Sequence, residues 1–139
     1  MTTTAPEPAV LSSTPSVERL RVKIFADGAN LDGMLALNRD TRISGFTTNP
    51  TLMRTAGITD YGTFAHEVLA AIPNRSISFE VFSDELDEME RQAREIASWG
   101  EQVYVKIPVS NTRGESTGAL IRSLSQAGVK VNVTALMTL

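Results

Sequence analysis

Strand-like and helix-like segments alternate along most of this 139-residue chain, and this alternation restricts its fold more than any other feature. Five short apolar segments have the length and composition of buried strands: residues 22–26, 43–46, 77–82, 103–107 and 129–135. Four helix-like segments lie between them: residues 29–37, 61–72, about 83–99 and 115–126. The third helix is predicted to begin with Ser83 as N-cap and to end before Gly100. Such alternation with short connections predicts a parallel sheet with right-handed crossovers.

Two architectures fit this pattern, a doubly wound sheet and a (β/α)8 barrel. The sequence has no Gly-x-Gly-x-x-Gly after the first strand and no Walker-type motif, which disfavours nucleotide binding. Every predicted strand carries a polar group at or near its C-terminal end: Asp27, Asn49, Glu80, Lys106, and the pair Asn132 and Thr134. In a barrel these ends converge on one rim, where barrel enzymes carry out their chemistry. This convergence favours the barrel.

Lys106 is the candidate nucleophile because it is an amine within an apolar strand. Desolvation opposes the charge of a buried lysine, and a neutral amine can attack a ketone carbon to form a Schiff base. The chain has only three lysines against ten arginines, so such an amine is not a consequence of composition. Lys23 and Lys130 fall at the opposite ends of their strands and are poor candidates. The alternative is that the Lys106 amine extends to solvent.

Two carboxylates are candidate acid–base groups. Asp27 ends the first strand and could move a hydroxyl proton, although an aspartate before a helix is also a common turn or capping residue. Glu80 interrupts an apolar strand, where a buried carboxylate must be paired or protonated. Its alternative is a position on an edge strand that faces solvent. Both residues are predicted to face the same site as Lys106.

Amide and hydroxyl groups complete the candidate site. Asn132 and Thr134 share one face of the last strand and could hold a water molecule and a substrate hydroxyl. Asn49 could bind a substrate hydroxyl, or it could simply belong to a turn in which Pro50 starts the next helix. The chain has one histidine, His66, and no cysteine, so we expect neither a metal site nor a disulfide.

Composition excludes several other classes of function. A formal net charge of -3 without basic runs argues against nucleic-acid partners, and no apolar run approaches the length that spans a bilayer. The start of the chain does not resemble a secretion signal, so we expect a cytoplasmic protein. Residues 1–17 are rich in Thr, Ser, Pro and Ala and are predicted to be a disordered tail, with residues 18–139 forming the folded domain.

Five stretches of the sequence together resemble the transaldolase family. They are residues 25–30 (FADGAN), 45–52 (GFTTNPTL), 78–81 (SFEV), 105–109 (VKIPV) and 131–136 (VNVTAL), in the order that the family has them. The resemblance runs from about residue 22 to the end of the chain. It implies a (β/α)8 barrel, of which this chain covers about the first five β/α units.

The resemblance also implies a role for each candidate residue. Lys106 matches the Schiff-base lysine of the fourth strand, and Asp27 matches the aspartate that handles the proton during carbon–carbon cleavage. Glu80 and Thr134 match the pair that positions a catalytic water. The residues that match amides contacting the dihydroxyacetone unit are Asn49 and Asn132.

The activity implied is the transfer of a dihydroxyacetone unit between sugar phosphates, a reaction of the pentose phosphate pathway type, with no cofactor. The related fructose-6-phosphate aldolases carry an amide-type residue at the position of Glu80, so glutamate favours transfer over simple aldol cleavage. A barrel usually needs about 200 to 250 residues. We therefore expect a fragment of a longer protein, half of a split enzyme that a C-terminal half completes, or a non-catalytic half-barrel. Homo-oligomerisation stays open.

Overall fold

The structure, a computed structural model, describes residues 16–137. The disordered tail predicted for residues 1–17 lies outside this range except for its last two residues. A 3-10 turn, Val17–Arg19, precedes the first strand. All five predicted strands and all four predicted helices are present, which confirms the alternation inferred from the sequence.

The elements follow one another as repeated β/α units. In chain order they are β1 (Ile24–Asp27), α1 (Leu31–Leu37), β2 (Ile43–Thr47), α2 (Pro50–Thr55), α3 (Tyr61–Ala71), β3 (Ser76–Glu80), α4 (Leu86–Ala97), β4 (Val103–Pro108), α5 (Gly118–Gln126) and β5 (Val131–Thr134). The short helix α2 begins with Pro50 in its first turn, as expected of a residue that lacks a backbone N–H.

The predicted N-cap of α4 is wrong. Glu85, not Ser83, occupies that position, and the helix begins at Leu86. The side-chain oxygen of Gln92 accepts hydrogen bonds from the backbone N–H groups of Phe82 and Ser83, which keeps this segment outside the helix. The Ser83 hydroxyl accepts a bond from the Glu85 N–H within the loop instead.

The last helix also begins later than predicted, at Gly118 rather than residue 115. Residues before it form a tight loop, in which Ser110 and Ser116 pair as an isolated antiparallel bridge. Gly114 turns this loop with a positive φ of 78°, a conformation that glycine adopts without strain.

All neighbouring strands are parallel, and their order in the sheet is the order of the sequence, β1-β2-β3-β4-β5. A doubly wound sheet reverses direction at a switch point, so its strand order is not sequential. Sequential order is that of a barrel, and five units form a curled half-barrel. The barrel prediction is confirmed, and the doubly wound alternative is excluded.

The two faces of the sheet carry different side chains. Phe79, Val105 and Ile107 are completely buried between the sheet and the helices. Alternate residues lie on the concave face, where Asn132 of β5 donates a hydrogen bond of 3.2 Å to the Ser78 hydroxyl of β3. Strands are about 4.8 Å apart, so contact between short side chains two strands apart requires a strongly curved sheet.

Gly45 on β2 gives a direct test of this packing. A Cβ atom there would lie 2.5 Å from the Ser76 carbonyl oxygen and 2.7 Å from the Phe25 ring. We expect Gly45→Ala to lower the free energy of unfolding by about 1–3 kcal/mol, because the carbonyl belongs to the backbone of a paired strand. Urea unfolding followed by Trp99 fluorescence measures the change.

Gly28→Ala is the matched control for this prediction. A Cβ atom at Gly28 would meet nothing within 4 Å. The free energy of unfolding of this variant should stay within about 0.5 kcal/mol of the wild type. Equal stability of the two variants would contradict the close approach of β1, β2 and β3 at Gly45.

Candidate active site

Three of the predicted site residues lie side by side on the concave face. Lys106 pairs with Glu80 of β3 on one side and with Asn132 of β5 on the other. Paired residues of parallel strands point to the same face, so their side chains form one row across the three strands. The row lies toward the C-terminal ends of the strands, which is the end where barrel enzymes carry their active sites.

The Lys106 amine makes two polar contacts. Its Nζ lies 3.4 Å from a carboxylate oxygen of Glu80 and 3.3 Å from the backbone carbonyl oxygen of Thr48, to which it donates a hydrogen bond. The side chains of Lys106 and Glu80 are only 11% and 22% exposed. The amine therefore lies within the concave face, and the alternative of a solvent-extended lysine is not what the structure shows.

Thr134 lies two residues beyond Asn132 on β5 and pairs with Pro108 of β4. Asn132 and Thr134 share the face predicted for them, and both are half-buried. The Asn132 amide is held by Ser78, while the Thr134 hydroxyl makes no hydrogen bond to the described residues. These two residues therefore lie on the strand next to Lys106, on the same face of the sheet.

Asp27 ends β1 and lies on the same face of the sheet. It pairs with Thr47, which pairs with Ser78, so it is separated from the Lys106 row by β2. Asp27 is exposed, and its carboxylate makes no hydrogen bond within residues 16–137. The structure brings Asp27 to the same rim as Lys106 without a direct contact between them.

Asn49 serves as the N-cap of α2. Its side-chain oxygen accepts a hydrogen bond of 2.9 Å from the Leu52 N–H, and Pro50 starts the helix, as the alternative for this residue expected. Its amide nitrogen makes no hydrogen bond to the described part of the chain. Asn49 and Glu80 both line a cleft of about 470 Å³ at the C-terminal ends of β3 and β4. The side-chain oxygen of Asn49 therefore caps α2, and its amide N–H groups stay available at the cleft.

The two loops at this cleft are tied together. Thr112 donates to the Asp84 carboxylate from its backbone N–H at 2.8 Å and from its hydroxyl at 2.6 Å. These bonds, the hydroxyl first, lower the pKa of Asp84. Arg113 bridges Glu85 and Glu115 at 2.7 and 3.0 Å. These contacts join the loop after β3 to the loop after β4, just beyond the strand ends that carry Glu80 and Lys106.

A larger cleft of about 600 Å³ lies on the concave face and extends to Asn132, the β5 neighbour of Lys106. Phe25, Ser76, Tyr104 and Asn132 are among the residues that line it. Phe25 and Tyr104 are 43% and 37% exposed. In a closed barrel, side chains from all strands fill the interior in layers. We interpret this cleft as barrel interior rather than as a binding site.

Three residues that the sequence analysis did not select contact the site: Tyr61, Ser78 and Thr48, whose carbonyl accepts a hydrogen bond from Lys106. The Tyr61 hydroxyl hydrogen-bonds to both the N–H and the carbonyl of Glu80. Ser78, only 2% exposed, holds Asn132. The period of two from Glu80 could have identified Ser78, since both lie on one face of β3. No pattern in the sequence indicates Tyr61, because its contact depends on how α3 packs on the sheet.

Comparison with known proteins identifies the family of this chain. Residues 24–139 match the family described as Transaldolase/Fructose-6-phosphate aldolase. The chain belongs to this family. The family resemblance inferred from the five sequence stretches is therefore confirmed.

Individual relatives agree with this assignment. The chain is 38% identical over 113 residues to a "Probable transaldolase" of Dehalococcoides mccartyi, an alignment that covers 81% of this chain and 50% of that protein. It is 37% identical over 117 residues to the "Probable transaldolase" of Streptococcus equi subsp. zooepidemicus, and 38% identical to that of Streptococcus agalactiae, with 84% of this chain and 52% of each relative covered. The chain spans about half the length of these curated relatives.

Neither a metal-binding cluster nor a membrane-spanning helix is found in the part of the chain that the structure describes. Within residues 16–137, no cluster of three His, Asp or Glu side chains could hold a metal ion. No helix in this range is long and apolar enough to cross a membrane.

Because the Tyr61 hydroxyl is buried, we expect the free energy of unfolding to depend on pH in the alkaline range. Burial raises the pKa of Tyr61 above the ordinary value of 10.0, and the hydrogen bonds with the Glu80 backbone only partly oppose this effect. The unfolded chain ionises this phenol first, so the stability it contributes is complete below about pH 10 and is lost as the pH rises further. We expect the free energy of unfolding to fall by up to about 1.4 kcal/mol per pH unit from this group.

Urea unfolding between about pH 9 and 11.5 measures this slope, and Tyr61→Phe is the reference. The variant should lose stability less steeply over the same range. If both proteins lose stability equally, the phenol of Tyr61 is not protected from ionisation.

Proposed function

We propose that this chain carries the imine-forming half of a transaldolase-type enzyme, with Lys106 as the nucleophile. The observation that carries the proposal is the contact between a largely buried amine and the Glu80 carboxylate, 3.4 Å apart on the concave face. Family membership supports it, because the family is named for transaldolases and fructose-6-phosphate aldolases. The substrates proposed are sugar phosphates, and the chemistry needs no cofactor.

The reaction would begin when the Lys106 amine adds to the C2 carbonyl of a ketose phosphate. Loss of water leaves a protonated imine, which accepts the electron pair of the C3–C4 bond as that bond breaks. The proton of the C4 hydroxyl passes to Asp27, and an aldose phosphate leaves. The enamine that stays on Lys106 then attacks a second aldehyde, and water hydrolyses the new imine to release the product ketose.

The other site residues would control water and orient the three-carbon unit. Glu80 and Thr134 would position the water that is lost and regained at C2. Asn132 and Asn49 would bind hydroxyl groups of the dihydroxyacetone unit through their amides. The lateral position of Asn132 beside Lys106 and the free amide of Asn49 toward the cleft support these roles.

Glu80 favours transfer over the alternative, a fructose-6-phosphate-aldolase-like lyase. Transfer requires the enamine to survive until an acceptor arrives, and this depends on how water and protons reach it. A carboxylate beside the amine provides such control. The further alternatives are a split enzyme that a C-terminal half completes and a half-barrel without activity.

Borohydride trapping tests the nucleophile. Fructose 6-phosphate and borohydride should leave a reduced adduct on Lys106, which mass spectrometry of peptides would locate. Lys106→Arg should abolish the adduct, because arginine stays charged and cannot form the imine. Lys23→Arg and Lys130→Arg are matched controls from the other two lysines of the chain and should retain it.

The remaining outcomes separate the alternatives. An adduct that forms only after a complementing half-barrel is added would indicate a split or divided barrel. No adduct on Lys106 under either condition would contradict the enzymatic proposal and favour a non-catalytic half-barrel.

Glu80→Gln tests the choice between transfer and cleavage. The amide keeps the size of the side chain but removes its charge and its capacity to hold a proton. In the complete barrel, we expect the ratio of transfer to free aldol cleavage to fall by about tenfold, a modest effect for the loss of a general acid–base group. Product ratios with and without an acceptor aldose phosphate measure this. An unchanged ratio would show that Glu80 does not set the type of reaction.

A further inference from the structure

The backbone of Glu80 lies just beyond the point where the pairing of β3 with β2 ends. Pairing between β2 and β3 ends at Thr47 and Ser78, after which the Thr48 N–H still donates to the Ser78 carbonyl at 3.0 Å. The chain then turns away from the sheet into α2. Alternate residues of a strand direct their backbone groups to the same side, so the N–H and C=O of Glu80 face the position that β2 has left. Buried backbone groups without partners are costly, and these two need a substitute.

Tyr61 provides that substitute with a single hydroxyl group. Its oxygen accepts a hydrogen bond of 3.0 Å from the Glu80 N–H, and its O–H donates to the Glu80 carbonyl at 3.1 Å. A phenolic hydroxyl can do both at once, since it has one donor and acceptor lone pairs. Tyr61 thus continues the hydrogen bonding of β2 for one more residue.

The ring of Tyr61 has little freedom to move. It makes edge-to-face contacts with Phe79, Phe82 and Trp99, with ring centroids 5.9, 4.4 and 5.5 Å apart. Its backbone is fixed as well, because Tyr61 is the first residue of α3, directly after the N-cap Asp60. The hydroxyl is therefore presented to Glu80 from a rigid support.

We propose that Tyr61 is a positioning residue that holds the end of β3 so that the Glu80 carboxylate stays against the Lys106 amine. Beyond Glu80, β3 is tied to β4 by the bond from the Val81 N–H to the Lys106 carbonyl at 3.3 Å. The bond from the Tyr61 hydroxyl to the Glu80 carbonyl ties the same peptide on its other side, and the bond from the Glu80 N–H ties the preceding peptide. Without them the strand end can move away from β4, and the distance between the two side chains increases.

The role in catalysis rests on the proposed function, in which Glu80 takes part at the lysine. Displacement of a reacting group by about 1 Å can reduce a rate by about 100-fold. Tyr61→Phe removes one oxygen atom and keeps the aromatic ring. We expect it to slow the formation of the borohydride-trapped Lys106 adduct by about 10- to 100-fold.

Two comparisons distinguish positioning from general destabilisation. Phe79→Leu disturbs the same aromatic cluster without touching a polar group. It keeps a large apolar side chain at this buried position and therefore the strand register, so it should change the adduct rate by less than about threefold. The second comparison is a double-mutant cycle with Glu80→Gln. If Tyr61 acts through the Glu80 carboxylate, adding Tyr61→Phe to Glu80→Gln should change the rate by less than about twofold.

A rescue variant covers the case in which Tyr61→Phe folds poorly. 4-Aminophenylalanine at position 61 restores the donor to the Glu80 carbonyl but accepts only weakly from the Glu80 N–H, so it should restore part of the rate. Equal effects of Tyr61→Phe and Phe79→Leu, or full additivity with Glu80→Gln, would overturn the inference.

Failure of the proposed function would be recognised separately. If the wild-type protein forms no adduct, crystal structures of the wild type and Tyr61→Phe decide the inference. It is overturned if the Glu80 carboxylate and the Lys106 amine stay within about 4 Å of each other in the variant. It is supported if the two groups separate in the variant while they remain together in the wild type.

Discussion

The parallel register of β3, β4 and β5 is the constraint on which this site depends. It aligns Glu80, Lys106 and Asn132 across three neighbouring strands, so that a carboxylate, an amine and an amide meet on one face. A shift of any one strand by a single residue would turn its side chain toward the helices. The register is held by the opposite face, where Phe79, Val105 and Ile107 are completely buried. Packing of the apolar core and alignment of the polar row are thus two consequences of the same pairing.

The polar contacts of the Lys106 amine are one backbone group and one residue with a proposed chemical role. The carbonyl of Thr48, directly after β2, accepts a bond from the amine at 3.3 Å, and the Glu80 carboxylate lies 3.4 Å from it. Partial burial of an ion pair carries a desolvation cost that good geometry must offset. Tyr61 contributes to this geometry from α3, outside the sheet. The half-barrel therefore shapes the site with elements from three successive β/α units.

The sequence was sufficient for the parts that depend on local pattern. Apolar strands that alternate with amphipathic helices predicted the parallel sheet, and polar strand ends predicted that Glu80, Lys106 and Asn132 would lie together. It was insufficient where tertiary contacts override local preference. Ser83 has the chemistry of an N-cap, but Gln92 holds its N–H outside the helix. Tyr61 and the Thr48 carbonyl could not be identified, because one acts across helix packing and the other is a backbone group that any residue carries.

The central proposal is that the register of the strands places the Lys106 amine on the concave face, toward the C-terminal ends of the strands, where it can bond to a ketose. A crystal structure of the protein after treatment with dihydroxyacetone and reduction of the resulting imine with borohydride tests it most directly. Continuous electron density from Lys106 Nζ into a three-carbon unit between Glu80 and Asn132 is the predicted result. An unmodified Lys106 directed into solvent, or density attached to Lys23 or Lys130 instead, would contradict the account.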